Sequence, residues 1–308
     1  MNKSKLSLYA VLFSLFTYHL PLTTPLYAAG PGTSSAAFLK LGFGARPLAL
    51  GESYVAIADD AAALHYNPAG LAYPSTLEGE GGGEGERPYE LLVSHALHIQ
   101  DIRISQIGLT RRPFGFYLNY LSVGGIEART AETAVPDSTF YATDFALGAS
   151  YGRMISPGLG AGLSARFIRQ NIKDKSAQAV SADAGLLYRF ENLPLSLGIS
   201  ACNMGTKIKF DQEGYPLPFI IRAGAAAEFG KKSPVSITAQ ADFSRDSSAI
   251  VRTGMEYRGF GPFALRTGYM FVPSSQRRAV LGKSLGTTAS GISEFYGLFM
   301  GLGFKFRS

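Results

Sequence analysis

From about residue 88 onward, apolar and polar positions alternate with a period of two. Leu159, Ala161, Leu163, Ala165 and Phe167 fall on one side of their segment, and Gly160, Gly162, Ser164 and Arg166 on the other. The pattern returns in Leu193, Leu195, Leu197, Ile199 and Ala201, opposed by Ser196, Gly198 and Ser200. It returns again in Val235, Ile237, Ala239, Ala241 and Phe243, opposed by Thr238, Gln240 and Asp242. Successive side chains of a β-strand point to opposite faces, so each run predicts a strand with one apolar and one polar face. Twelve such strands are read between Tyr89 and Phe306.

Three features decide what those faces meet. Segments 139–153, 177–190 and 292–306 exceed the ~5–6 residues of an ordinary soluble strand and reach the ~9–11 that cross a bilayer at a tilt. The polar face carries both signs of charge at mid-strand: Asp144, Arg166, Asp183, Arg189, Arg222, Glu228, Asp242, Arg252, Glu256 and Arg266. It also carries Gly148, Gly185, Gly224, Gly254, Gly268 and Gly301, which would weaken a soluble sandwich. In a membrane barrel that face is the lumen, where small residues make room and opposite charges pair, while the apolar face meets lipid. Tyr141, Tyr151, Tyr188, Phe190, Phe229, Tyr257, Tyr269 and Phe271 stand near strand ends as aromatic girdles. Connection lengths agree. Short turns at 112–113, 156–158, 191–192, 231–233 and 259–261 alternate with the long polar connections 123–138, 203–216 and 272–291. Outer-membrane barrels have short periplasmic turns and longer outside loops, so the last strand runs down to the periplasm. The expected fold is all-β, a transmembrane antiparallel β-barrel.

The rest of the chain reads differently. Residues 1–28 open with Lys3 and Lys5, continue through an apolar stretch and end at Leu26-Tyr27-Ala28, as a signal peptide does. No cysteine follows the apolar core, which argues against a lipoprotein anchor. Without the two lysines the formal charge falls from +6 to +4, too small and dispersed for nucleic acid. Cys202, the single cysteine, allows no internal disulfide and reads as a packed small residue. The best helical span, 217–229, is interrupted by Arg222 and Glu228, which excludes a helical membrane protein. Residues 29–76 form a mixed, glycine-punctuated segment in which 59–66 read as a short helix, capped by Asp59 or Asp60 and stopped by Asn67-Pro68. Residues 77–87 are an acidic, glycine-rich linker. The barrel is assigned to 88–308.

The stretch from Leu41 to Ala72 resembles the N-terminal hatch of the FadL-type long-chain fatty acid transporters, and more closely their PorV/PorQ-like and uncharacterised spirochaetal relatives. Gly44, Ala45 and Arg46, then Ala58, Asp59 and Asp60, then Asn67, Pro68, Ala69 and Gly70 carry the likeness. The resemblance implies a monomeric, fourteen-stranded outer-membrane barrel plugged by this segment, with hydrophobic substrates leaving sideways through the wall. Twelve strands are counted instead. Either 272–291 hides a hairpin around Ala279-Val280-Leu281, or the C-terminal hairpin of the relatives is missing.

Catalysis finds no support. Gly158, Gly160 and Gly162 lie in an alternating strand and open no helix, so they form no phosphate loop. His95 and His98 face opposite ways in their strand, and no nucleophile or carboxylate pair accompanies His65. No enzyme activity, cofactor, metal or nucleic acid is expected. The plug motif (Gly44, Arg46, Asp59, Asp60, Asn67, Pro68, Ala69, Gly70) anchors the segment or moves to let ligand pass. Arg166, Arg222, Arg252 and Arg266 are candidate carboxylate-binding residues of the lumen, with pairing to Asp183, Glu228, Asp242 and Glu256 as the default. The expected function is passive uptake of fatty acids or similar hydrophobic molecules through plug rearrangement and lateral release. The expected partners are outer-membrane lipid and the barrel-assembly machinery. The alternative is a PorV-like secretion component or surface adhesin, or a shortened member without transport activity.

Overall fold

The computed structural model describes residues 33–75, 89–98, 101–132, 134–230, 234–272 and 297–305. The signal peptide, the acidic linker, the 231–233 turn and the Ala279-Val280-Leu281 hairpin lie outside them. The described strands are β1 (Glu90–Leu97), β2 (Ile102–Arg111), β3 (Phe114–Ala128), β4 (Ser138–Ser156), β5 (Leu159–Ile172), β6 (Lys175–Arg189) and β7 (Leu195–Gly205). After them come β8 (Ile208–Lys209), β9 (Gly214–Tyr215), β10 (Ile220–Phe229), β11 (Val235–Ser244), β12 (Ile250–Phe260), β13 (Phe263–Phe271) and β14 (Leu298–Phe304). β8 and β9 make a small separate hairpin, and the other twelve form one sheet in sequence order. Every described pairing is antiparallel, and the expected count of twelve holds for the sheet.

Register keeps like with like. Gly148, Arg166, Ser181 and Gly205 lie opposite one another in turn, a polar row across four strands. On β5, Ser164 and Arg166 are buried inward, whereas Leu163 and Phe167 stand exposed outward, so the apolar face is the outer one. β4 runs for 19 residues, well beyond what crossing a bilayer needs. Two long connections are shorter than their sequence suggests. β3 continues to Ala128 through a bulge between Val123 and Ile126, where Gly125 takes a positive φ of 65° that a side chain would resist. The connection after β7 folds back as the β8–β9 hairpin.

Residues 33–75 fill the interior. Phe43 packs with Leu92 of β1, and Ala49 lies against Gly301 of β14, so the sheet wraps this segment from its first strand to its last. The segment also runs the length of the lumen. Its leading end hydrogen-bonds the long-loop side, with Ser35 N donating to Pro216 O at 3.0 Å. Its trailing end meets the short turns, where Tyr73 Oη donates to Gly158 O at 2.7 Å. Near the loops, Phe38 and Leu39 join Ile104, Leu121, Ile168, Ile208 and Leu217 in one apolar cluster. Deeper, Phe43, Leu50, Tyr54, Leu64, Tyr66 and Tyr117 make a second. The inward glycines now have a reason. A Cβ on Gly162 would run into the backbone of Pro68 and Ala69, and one on Gly268 into Leu50 and Gly51. Wall and plug backbones approach too closely for any side chain.

The helix expected over 59–66 is confined to Ala63–Tyr66. Ahead of it the chain makes tighter turns, with Ala63 N and Leu64 N donating to Asp60 O and Ala61 O three residues back instead of four. Asp60 Oδ1 does accept from Ala62 N at 2.8 Å, just ahead of the helix. Asp59 is drawn elsewhere.

Candidate functional site: the plug and its fastening

Arg46 lies on the one-turn helix Ala45–Ala49 and binds acids of both plug and wall. Its Nη1 donates to Asp59 Oδ1 at 2.5 Å, Asp60 Oδ2 at 3.2 Å and Tyr54 Oη at 2.8 Å. Its Nε and Nη2 grip Glu256 of β12 at 3.1 and 2.8 Å, the bidentate geometry that suits guanidinium and carboxylate. Glu256 is also held by Arg266 at 2.6 Å. Burial works against the charge on Arg46, but Asp59, Tyr54, Asp60 and Glu256 outweigh it and hold the guanidinium charged well above its usual range.

The other motif residues are structural contacts too. Gly44 N donates to Gln106 Oε1 on β2 at 3.1 Å. Asn67 ties three places together: Nδ2 donates to Val55 O at 2.9 Å and to Leu186 O of β6 at 3.0 Å, while Oδ1 accepts from Ala69 N at 3.1 Å. Pro68 then starts a 3-10 turn, Pro68–Ala72, whose Ala69 lies fully buried. Gly70 passes against Ala58 O so closely that a Cβ there has no room.

Each lumen arginine nominated from sequence has a partner. Arg166 pairs with Asp183 and donates to Asn203 Oδ1 at 2.6 Å. Arg252 donates to Asp242 at 2.7 Å and to Gly51 O of the plug at 3.1 Å. Arg266 donates to Glu256. Arg222 donates to the Cys202 thiol at 3.1 Å and lies over the Tyr66 ring.

Sequence reading passed over several fastenings. Arg112, read only as part of a turn, donates to Gly70 O at 2.5 Å, Tyr73 O at 2.6 Å and Asp59 O at 2.8 Å. Gln240 Oε1 accepts from both Tyr54 N and Val55 N, at 2.9 and 2.8 Å. Gln106 and Gln240 sit on the polar face of alternating strands, a pattern that marks them as inward but does not single them out from other uncharged polar residues. At the outer end, Asp246 accepts from Ser34 and from Lys40, the latter at 2.8 Å. Burial alone would raise the Asp246 pKa, but Lys40, Ser244 and Ser34 hold it below the usual carboxylate range.

His65 occupies the centre of the plug. It stacks on Phe43 at 5.8 Å and meets the Tyr66 ring edge-on at 4.9 Å. Its Nε2 has no hydrogen-bond partner among the described residues. Burial, then the nearby charges of Arg222 and Arg166, push its pKa well below the ordinary value. The imidazole is neutral.

A plugged barrel with this hatch has relatives. Residues 31–248, more than two thirds of the chain, match the family model described as the type IX secretion system protein PorV. The chain belongs to the PorV family. It is therefore an outer-membrane β-barrel; barrels of this kind carry their short turns on the periplasmic side. Among solved structures, the PorV-family chain is similar to the Ralstonia pickettii toluene transporter TbuX, at 16% identity and TM-score 0.47 over 75% of this chain and 86% of that one. It is also similar to a deltaS2 mutant of the TodX monoaromatic hydrocarbon channel, at 14% identity and TM-score 0.45 over 75% and 82%. No curated protein matches it.

Proposed function

We propose that this barrel acts as a closed component of an outer-membrane secretion apparatus and does not pass solutes through its lumen. The carrying observation is the fastening of the plug. It is bound to the wall through Arg46 and Glu256, through Arg112, and through Lys40 and Asp246. Moving it means separating the buried Arg46–Glu256 pair, at a cost of about 3–5 kcal/mol if one partner is left behind, together with the Arg112 hydrogen bonds and the part-exposed Lys40–Asp246 pair. The arginines that could receive an anionic headgroup already have partners within the barrel. Membership of the PorV family supports the same reading.

One feature favours a second reading, uptake of long-chain fatty acids or similar hydrophobic molecules. A cavity of about 220 Å³ opens at the periplasmic mouth between plug and wall, lined by Ile57, Phe190, Leu193, Pro194 and Arg189 among others. A host defective in fatty acid uptake separates the two. The secretion reading expects no recovery of labelled oleate uptake when the protein is present in the outer membrane as a heat-modifiable barrel. Restored uptake would overturn it in favour of transport.

A further inference from the structure

At the periplasmic end, one sector of the lipid-facing surface carries cations. Arg111 ends an outward row behind Ile107 and Leu109, and Arg153 follows Leu147 and Tyr151 in another that closes on Ile155, with both arginines exposed. Aromatic rings lie between and beside them. Phe114 is opposite Arg111 in register and Tyr151 opposite Phe114, the two rings 5.2 Å apart. The Arg111 guanidinium stands 5.2 Å from the centre of the Tyr89 ring. Among the described residues neither arginine has an ion-pair partner, and the neighbouring Glu90 is buried and paired with Arg112. Elsewhere on this rim the large outward side chains include Tyr188, Phe260, Phe263 and Phe304.

An unpaired cation on the lipid face is tolerable only at the interface, where its apolar stem lies along the acyl chains and its head meets phosphate. Two strand spacings, about 10 Å, separate the rows, a span that two arginine side chains reach across to one headgroup. We propose that Arg111 and Arg153, with Tyr89, Phe114 and Tyr151, bind the phosphate of an acidic phospholipid in the periplasmic leaflet. The guanidinium forks supply paired donors to the phosphate oxygens. The rings supply the interfacial platform.

The test is native mass spectrometry of the full chain with phosphatidylglycerol or phosphatidylcholine added to the detergent. The wild type should retain phosphatidylglycerol at least tenfold better. R111Q and R153Q should each lose about fivefold of that preference, the effect of one basic residue near an anionic surface. R103Q and R169Q, exposed at the opposite rim, should lose none. Heat-modifiable migration confirms that each variant is folded. The single substitutions carry the test if the double variant fails to fold. Equal retention of the two lipids by the wild type would overturn the site, as would unchanged preference in both folded variants. Competition by lipopolysaccharide that follows R103Q and R169Q instead would also overturn it.

Discussion

Replacing Arg46 with leucine removes the residue that joins plug to wall. The substitution leaves three carboxylates behind, each with a partner. Asp59 keeps Tyr54 Oη at 3.1 Å, Asp60 keeps the Ala62 amide at 2.8 Å, and Glu256 keeps Arg266 at 2.6 Å. Breaking a buried pair from one side costs about 3–5 kcal/mol, and these remaining contacts place the expected loss at the lower end, about 3 kcal/mol. With urea slopes of about 1–3 kcal/mol/M, the unfolding midpoint of the micelle-bound protein should fall by about 1–3 M. Arg46→Lys should fall between the two, because it keeps the charge and loses the bidentate grip on Glu256. Glu256→Gln should cost less than Arg46→Leu, since Arg46 retains Asp59 and Asp60. The double substitution should cost less than the sum, because the two residues are in direct contact. An Arg46→Leu midpoint no lower than that of Arg129→Leu, an arginine of an exposed loop, would refute the hub role.

Other outcomes test other parts of the fastening. Gly162→Ala puts a methyl group into the backbone of Pro68 and Ala69 and should cost about 1–3 kcal/mol by overpacking. The same urea titration checks it. Arg112→Gln withdraws donors from Gly70, Tyr73 and Asp59 carbonyls. It should expose the 58–73 stretch to added protease while the barrel stays heat-modifiable, and an uncut plug would count against that role. His65 has a folded pKa below its unfolded value near 6.5, so its contribution is complete above that pH. As pH falls below about 6.5 the unfolded chain takes the proton first, and stability should drop by up to about 1.4 kcal/mol per pH unit. In His65→Gln that part of the slope between pH 6.5 and 5 should vanish, and identical slopes would contradict it.

The wall was legible before the fold was seen. Alternation is local, so Leu163 and Phe167 outside and Ser164 and Arg166 inside follow from the order of residues alone. The hatch motif was legible as a block, but the work of its parts was not. Asp59 and Asp60 look like interchangeable helix caps in sequence. Only Asp60 holds a helix-end amide, because Asp59 lies beside Arg46 and Tyr54. Arg112 looks like a turn residue until the turn is seen lying under Gly70 and Tyr73.

By itself, the sequence determined a two-faced sheet of long strands, its lipid-facing side and the segment that could not be barrel. Each depends on neighbours along the chain, through the two-residue period and the chemistry of turns. The tertiary structure alone decided which buried charge meets which, and that inward glycines such as Gly162, Gly198 and Gly268 make room for the plug backbone. Those contacts join residues far apart in the chain, Arg46 and Glu256 by 210 positions, and no local pattern records them. They are set by the wrapping of the wall around a segment of defined length, which brings Arg46, Arg166, Arg252 and Arg266 to carboxylates that neutralise them in a lumen where an unpaired charge is costly.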